Sequence, residues 1–223
     1  MIRLDGVSRV FGAGPSRVPA LTDVTFGVDK GEFVVLTGAS GAGKTTLLRL
    51  LYRDERPTEG AIEVAGFDLR AMRRRDVPRL RRSIGVVFQD AKLLAGRTVF
   101  ENVAFVLRVL GTPRREITPR AFAALKAVGL TARAQADPHQ LSQGEAQRAS
   151  LARAIVKSPA LLIADEPTGN LDEDMAEEIL AIVKDFWTRG TTVLFATHQS
   201  KLVTLLKRRT LRLEHGLLVK DEG

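Results

Sequence analysis

The chain has no cysteine, so disulfide cross-links and thiolate chemistry are excluded. It has no apolar run near the roughly 20 residues that cross a bilayer, and its opening Met1-Ile2-Arg3-Leu4-Asp5 has no signal-peptide core. A cytosolic location is expected. Aromatic residues are scarce at 5%, and acid is in deficit: 26 Asp and Glu against 34 Lys and Arg leave a net charge of +8. That balance favours anionic partners such as nucleic acid or an acidic membrane surface, and nucleotide binding alone does not require it. With 44% hydrophobic residues in 223, the chain can bury a large core, which excludes disorder, and its length suits one domain carrying an inserted lobe.

Gly38-Ala39-Ser40-Gly41-Ala42-Gly43-Lys44-Thr45-Thr46 follows the apolar run Phe33–Leu36 and precedes Leu47–Leu51, a strand, a glycine loop and a helix start. The spacing G-x-x-x-x-G-K-[ST] is that of a phosphate-binding loop, in which backbone N–H groups converge on phosphate oxygens at a helix N-terminus. Lys44 then reaches the β- and γ-phosphates, and the Thr45 hydroxyl is a Mg²⁺ ligand.

Before that loop, Ile2-Arg3-Leu4 and Val24–Val28 read as strands of a small antiparallel sheet, separated by a loop from Gly12 to Pro19. Phe11 is either a stacking surface for an adenine ring or an ordinary core residue. After it, Ala61–Gly66 reads as a strand ending in a turn, and seven arginines crowd into residues 70–82 with only Asp76 opposing them. That run is a solvated face or a contact for anionic lipid or an acidic partner. Ile84–Phe88 reads as a buried strand delivering Gln89 to the ligand crevice, a candidate Mg²⁺ ligand and γ-phosphate sensor.

Residues 90–157 read as mainly helical. Thr98–Glu101 has capping-box spacing, Thr118-Pro119 is expected to open a helix that Gly129 closes, and Leu93 and Leu94 are either core or a docking surface. Leu141-Ser142-Gln143-Gly144-Glu145 opens another helix, either simply capped by Ser142 and Glu145 or binding an anion with the Ser142 hydroxyl and the Gly144 amide. Leu161–Ala164 is a buried strand ending in Asp165 and Glu166, which strand alternation would point to opposite faces. Asp165 suits Mg²⁺, through water, and Glu166 suits orienting or deprotonating the attacking water. Asp172 is placed to cap a helix through Trp187, and Thr192–Thr197 is a strand ending in His198.

In this order, the phosphate loop, Gln89, Leu141–Glu145, Asp165-Glu166, Asn170-Leu171-Asp172 and His198 resemble the ATP-binding-cassette ATPases from end to end. The resemblance implies an α/β P-loop NTPase, RecA-like, with an N-terminal antiparallel β subdomain and an inserted α-helical subdomain. Residues 1–89 and 158–223 would form the nucleotide-binding core and 90–157 the helical part. It further implies Mg²⁺-dependent ATP hydrolysis in a homodimer that sandwiches ATP between the phosphate loop of one copy and the Ser142 segment of the other. Phe11 then takes the adenine and His198 the γ-phosphate.

Val77–Gly85, Phe88-Gln89-Asp90 and Leu93–Val99 are more narrowly similar to the cell-division members. These imply a transmembrane partner at the inner membrane face and control of peptidoglycan hydrolases outside. Members that export lipoproteins, drugs or lipids share Glu166–Asp172, so export is the alternative; a soluble nucleic-acid-associated ATPase lacks support, because the arginine run has no interleaved aromatics. Two positions depart from the family, Gln143 for a glycine and Gln199 for an aspartate after the histidine.

Overall fold

A computed structural model describes residues 1–12 and 14–222. Ala13, inside the loop expected at Gly12–Pro19, and Gly223 lie outside the described residues. The strands β1 (Ile2–Phe11), β2 (Val18–Val28), β4 (Glu59–Val64) and β5 (Phe67–Asp68) form an antiparallel sheet in the order β2-β1-β4-β5. The expected antiparallel sheet is therefore present, but β1 and β2 run longer than the sequence suggests. Register shifts along β1, between Leu4 and Val7 and again up to Val10, interrupt the alternation that marks a strand in sequence.

The second sheet has the order β10-β9-β3-β8-β7-β6, built from β3 (Phe33–Thr37), β6 (Ile84–Val87), β7 (Leu161–Asp165), β8 (Thr192–Thr197), β9 (Arg209–Glu214) and β10 (Leu217–Glu222). All pairs are parallel except β9 with β10. Its inner strands are apolar on both faces and divide the interior into two cores. Phe33, Val35, Leu162, Ala164, Val193 and Phe195 face one, with helices α3 (Val99–Val109), α4 (Arg114–Ala127), α5 (Gln143–Ile155) and α6 (Glu173–Thr188). Val34, Leu36, Leu161, Ile163, Leu194 and Ala196 face the other, with α1 (Lys44–Leu51) and the antiparallel sheet. Burying each such side chain contributes roughly 1.5–3 kcal/mol before the cost of ordering it. A continuous apolar strand is therefore rigid, and the residues just past its carboxyl end are held in place.

The helices start and stop largely on local signals. Thr98 caps α3 by accepting from Glu101 N while Glu101 Oε2 accepts from Thr98 N, 3.1 and 2.9 Å. Asp172 Oδ1 accepts from Met175 N at 2.9 Å to open α6. Gly129, at φ 70°, ends α4, with Leu130 N and Gly129 N bonding back to Leu125 O and Lys126 O. The start of α4 differs from expectation: it begins at Arg114, and Pro119 lies inside. Proline's φ is helical, so the cost is one missing donor and a ring crowding the carbonyl four residues back; Ile117, half-buried against the larger core, ties down the turn before it, and Ala121, Ala124 and Leu125 bury the turns after it. The helix α2 (Val77–Ser83) and the helix α7 (Ser200–Leu206) complete the chain.

Candidate active site

The carboxyl ends of β3, β6, β7 and β8 converge on one cavity of about 450 Å³, whose lining includes Ser40, Lys44, Thr45, Gln89, Glu166 and His198. The loop between β3 and α1 owes its path to two glycines. Gly38 has φ 154° and a Cβ there would stand 2.4 Å from Leu213 O; Gly43 has φ 105° and a Cβ would stand 2.6 Å from Ala20 O. Gly43 is also the N-cap of α1 and supplies no side-chain cap. Leu47 N is the first amide to bond back, to Gly43 O at 2.9 Å, which leaves the amides of Lys44, Thr45 and Thr46 without intrahelical acceptors. Free amides, the helix dipole and a neighbouring ammonium make a site for phosphate.

Lys44 is buried, an unusual place for a charge, and its Nζ donates to Gly38 O at 2.7 Å and Ala39 O at 3.1 Å. It also lies 3.2 Å from Glu166 Oε1. Glu166 is tied at its other oxygen too, with Oε2 2.6 Å from His198 Nδ1. The backbone explains how it gets there. Asp165 is the last residue of β7, but Glu166 has left the strand with φ 47°, and its N–H donates to Ala196 O of β8 at 3.0 Å. The two acids therefore part company through a left-handed turn, not through strand alternation as the sequence suggested. A positive φ outside glycine costs of order 1 kcal/mol or more, and here it swings the carboxylate over the cavity.

Thr45 Oγ1 donates to Asp165 Oδ1 at 3.3 Å. Burial raises the Asp165 carboxyl above its ordinary range, with Glu166 adding to the rise; the Thr45 hydroxyl and Lys44 oppose it. A hydroxyl, a carboxylate and the Gln89 amide are oxygen donors suited to a hard cation. Among the described residues no cluster of three His, Cys, Asp or Glu could hold a metal by itself. That sparse set fits Mg²⁺, which keeps waters and is completed by substrate phosphates instead of an all-protein cage.

Five expected site residues, Phe11 and Ser142–Glu145, lie outside that cavity. Phe11 closes β1 opposite Val18 and does not line the 450 Å³ cavity; the Arg9 guanidinium sits 4.4 Å from its ring centre. Ser142 and Gln143 are exposed at the start of α5 and do not line the 450 Å³ cavity, although Gln143 borders a smaller one beside Gln89 and Pro167. Glu145 N donates to Ser142 Oγ at 3.2 Å and Ser142 N donates to Glu145 Oε2 at 2.9 Å. That N–H, then Arg133, holds the Glu145 carboxyl below its ordinary range. Gln143 keeps a negative φ and leaves this capping box intact, so its replacement of glycine does not distort the helix start. Gly144 is buried, and a Cβ there would meet Met175 Sδ of α6 at 2.9 Å.

Sequence reasoning missed the residues that brace the site. Buried Gln147 donates from Nε2 to Phe88 O at 2.9 Å, tying the segment that carries Gln89 to α5. Gln199 Nε2 donates to Thr168 O at 3.3 Å, linking the residue after His198 to the loop after Glu166. A buried glutamine at the foot of a capped helix is the signal that could have identified the first.

The chain matches the family described as ABC transporter over residues 21–169. It is 48% identical over 204 residues to the cell division ATP-binding protein FtsE of Streptococcus pneumoniae serotype 2, covering 92% of this chain and 89% of that one. It is 45% identical to the FtsE of Bacillus subtilis, covering 97% and 95%. Among solved structures it is similar to the dimeric post-hydrolysis state of the ATP-binding cassette MJ0796 bound to ADP and Pi, with a TM-score of 0.90 at 32% identity, over 100% of this chain and 98% of that one.

Proposed function

Because the chain belongs to the ABC transporter family and is an ATPase cassette of it, we propose that it hydrolyses ATP as the energising subunit of a membrane complex acting in cell division. The observation that carries the chemistry is Glu166, held between Lys44 and His198 beside the phosphate loop. The FtsE relatives at 48% and 45% identity support the division role over export.

In this reading residues 38–46 wrap the β- and γ-phosphates, with the amides of α1 and the Lys44 ammonium as donors. Thr45, Asp165 and Gln89 would hold Mg²⁺, which when bound would offset the charge on those phosphates. Glu166 Oε1 and Oε2 are both engaged, so the carboxylate is fixed in orientation. It accepts a proton from water as the water oxygen bonds to the γ-phosphorus and the bridge to the β-phosphate breaks. His198, at the end of β8, holds Glu166 and faces the γ-phosphate. Phe11, which lies outside the 450 Å³ cavity, is given the adenine by the family resemblance alone.

Ser142 and Gly144 belong to the site of a second copy, which makes the ATP-bound form a homodimer. Residues 1–89 and 158–223 are the nucleotide-binding core, and 90–157 carry the second half-site. A transmembrane, FtsX-like partner at the inner membrane face receives the closure and controls peptidoglycan hydrolases outside. Among the described residues no helix is long and apolar enough to cross a membrane, which agrees with a peripheral subunit.

Glu166→Gln tests the chemistry: ATP binding persists and hydrolysis nearly stops. Parental turnover would remove Glu166 as the base. Affinity capture of the membrane partner tests the division role, and an export permease in its place would overturn it.

A further inference from the structure

Seven arginines in residues 70–82 have no part in the chemistry above. All seven are exposed, spread over the loop after β5, the single turn Arg74–Asp76 and α2. Of that segment, Leu69, Met72 and Leu80 anchor it in the core. Arg81 alone is engaged: its guanidinium donates to Tyr52 O at 3.0 Å and Arg53 O at 3.3 Å and lies 3.7 Å from Asp54. Among the described residues, Arg70, Arg73, Arg74, Arg75, Arg79 and Arg82 have no carboxylate within 4.0 Å. Six unpaired guanidinium groups thus stand together on a segment whose backbone is fixed.

We propose that this segment is a docking surface for anionic phospholipid head groups. Three observations favour lipid over an acidic protein. None of the large exposed apolar side chains, which include Leu94, Val109 and Leu205, belongs to the segment. Arginine itself is common at protein interfaces, but such interfaces also need apolar or aromatic anchors at their centre, and this segment exposes none. The unpaired arginines are not preorganised by neighbouring acids, so they can each find a phosphate on a fluid surface, and the guanidinium fork matches phosphate oxygens two at a time. Finally, the run has no aromatic residue between Arg70 and Arg82, which removes the stacking platform that single-stranded nucleic acid uses.

The inference rests on the proposed function only in placing the chain beside a membrane. Its test needs neither the partner nor nucleotide. The full chain is sedimented with vesicles of phosphatidylcholine containing phosphatidylglycerol, and with phosphatidylcholine alone, over a range of salt. The parent binds the anionic vesicles at low salt and is released toward 1 M, where the Debye length shrinks to about 3 Å. Changing Arg73, Arg74 and Arg75 together to Gln weakens binding about a hundredfold, at roughly fivefold per residue. Changing the same three to Lys keeps most of it, and ATP hydrolysis measured in the same samples is unchanged in both variants. Equal binding of parent and Gln variant at low salt, or equal binding of the parent to neutral and anionic vesicles, overturns the proposal. So does a Gln variant that still binds vesicles but no longer captures the transmembrane partner, which would assign the arginines to a protein.

Discussion

Two helix N-termini are proposed to bind the anion, and they are finished in opposite ways. The first turn of α1 begins at Gly43, has no side-chain cap and leaves its amides free; the loop before it is walled in by Leu213 and Ala20. The first turn of α5 satisfies itself through Ser142 and Glu145 and stands in solvent. The start of α1 leaves the amides of Lys44, Thr45 and Thr46 free beside the Lys44 ammonium, whereas α5 uses its Glu145 amide on Ser142 and leaves those of Gln143 and Gly144; we propose that the first is a phosphate cradle within one copy and that the second serves another copy. Both ends have the same dipole. What differs is whether the fold spends the amides on its own capping box.

The variants that would break this comparison rank by size. Glu166→Gln should lower kcat about a thousandfold, within the range for a lost general base, with ATP affinity retained. Parental kcat in that variant would empty the α1 end of its chemistry. Lys44→Ala should weaken ATP binding about a hundredfold, roughly 3 kcal/mol for one charge-assisted contact to phosphate, read by titration calorimetry on a folded sample. An unchanged Kd would mean that phosphate is held elsewhere.

Ser142→Ala sharpens the comparison. It removes the cap of α5, costing about 1 kcal/mol and lowering Tm by about 3 °C. It should also depress hydrolysis while leaving the ATP affinity of the single copy intact. If affinity fell as it does in Lys44→Ala, the two ends would serve one site within one copy.

The smallest effect is a pH dependence at α5. The Glu145 carboxyl is depressed in the fold by Ser142 N–H and then Arg133, so it contributes stability at pH values above its ordinary 4.5. That contribution fades as pH falls below 4.5 and through the lowered value. Glu145→Gln should therefore destabilise the protein at neutral pH by less than about 1 kcal/mol, since its partner Arg133 is half-exposed and solvent screens the pair, and the gap to the parent should close in acid. A gap that widened in acid would reverse the assigned sign.

The α1 end was legible in sequence because glycine spacing, a buried strand and a lysine are local signals. The capping boxes at Thr98 and Ser142 were legible for the same reason. The features that escaped sequence reading depend on distant packing. The left-handed turn at Glu166 comes directly after the last ladder bond to β8, and no local residue type marks it. Pro119 looked like a helix start, because the one contact that ties down the turn before it, Ile117 against the core, is tertiary. The β9–β10 hairpin escaped notice although Leu211 and Leu213 alternate with polar residues and His215-Gly216, at φ 48° and 81°, is a two-residue turn. It matters to the site, since Leu213 O is the wall against Gly38.

In the proposed dimer, α5 completes the α1 site only from a second copy. The direct measurement is the solution mass of Glu166→Gln by light scattering, with and without saturating ATP and Mg²⁺. The account predicts a doubling with ATP that adding Ser142→Ala abolishes while nucleotide stays bound. A variant that remained a single copy with ATP bound, or that paired equally well without Ser142, would contradict it.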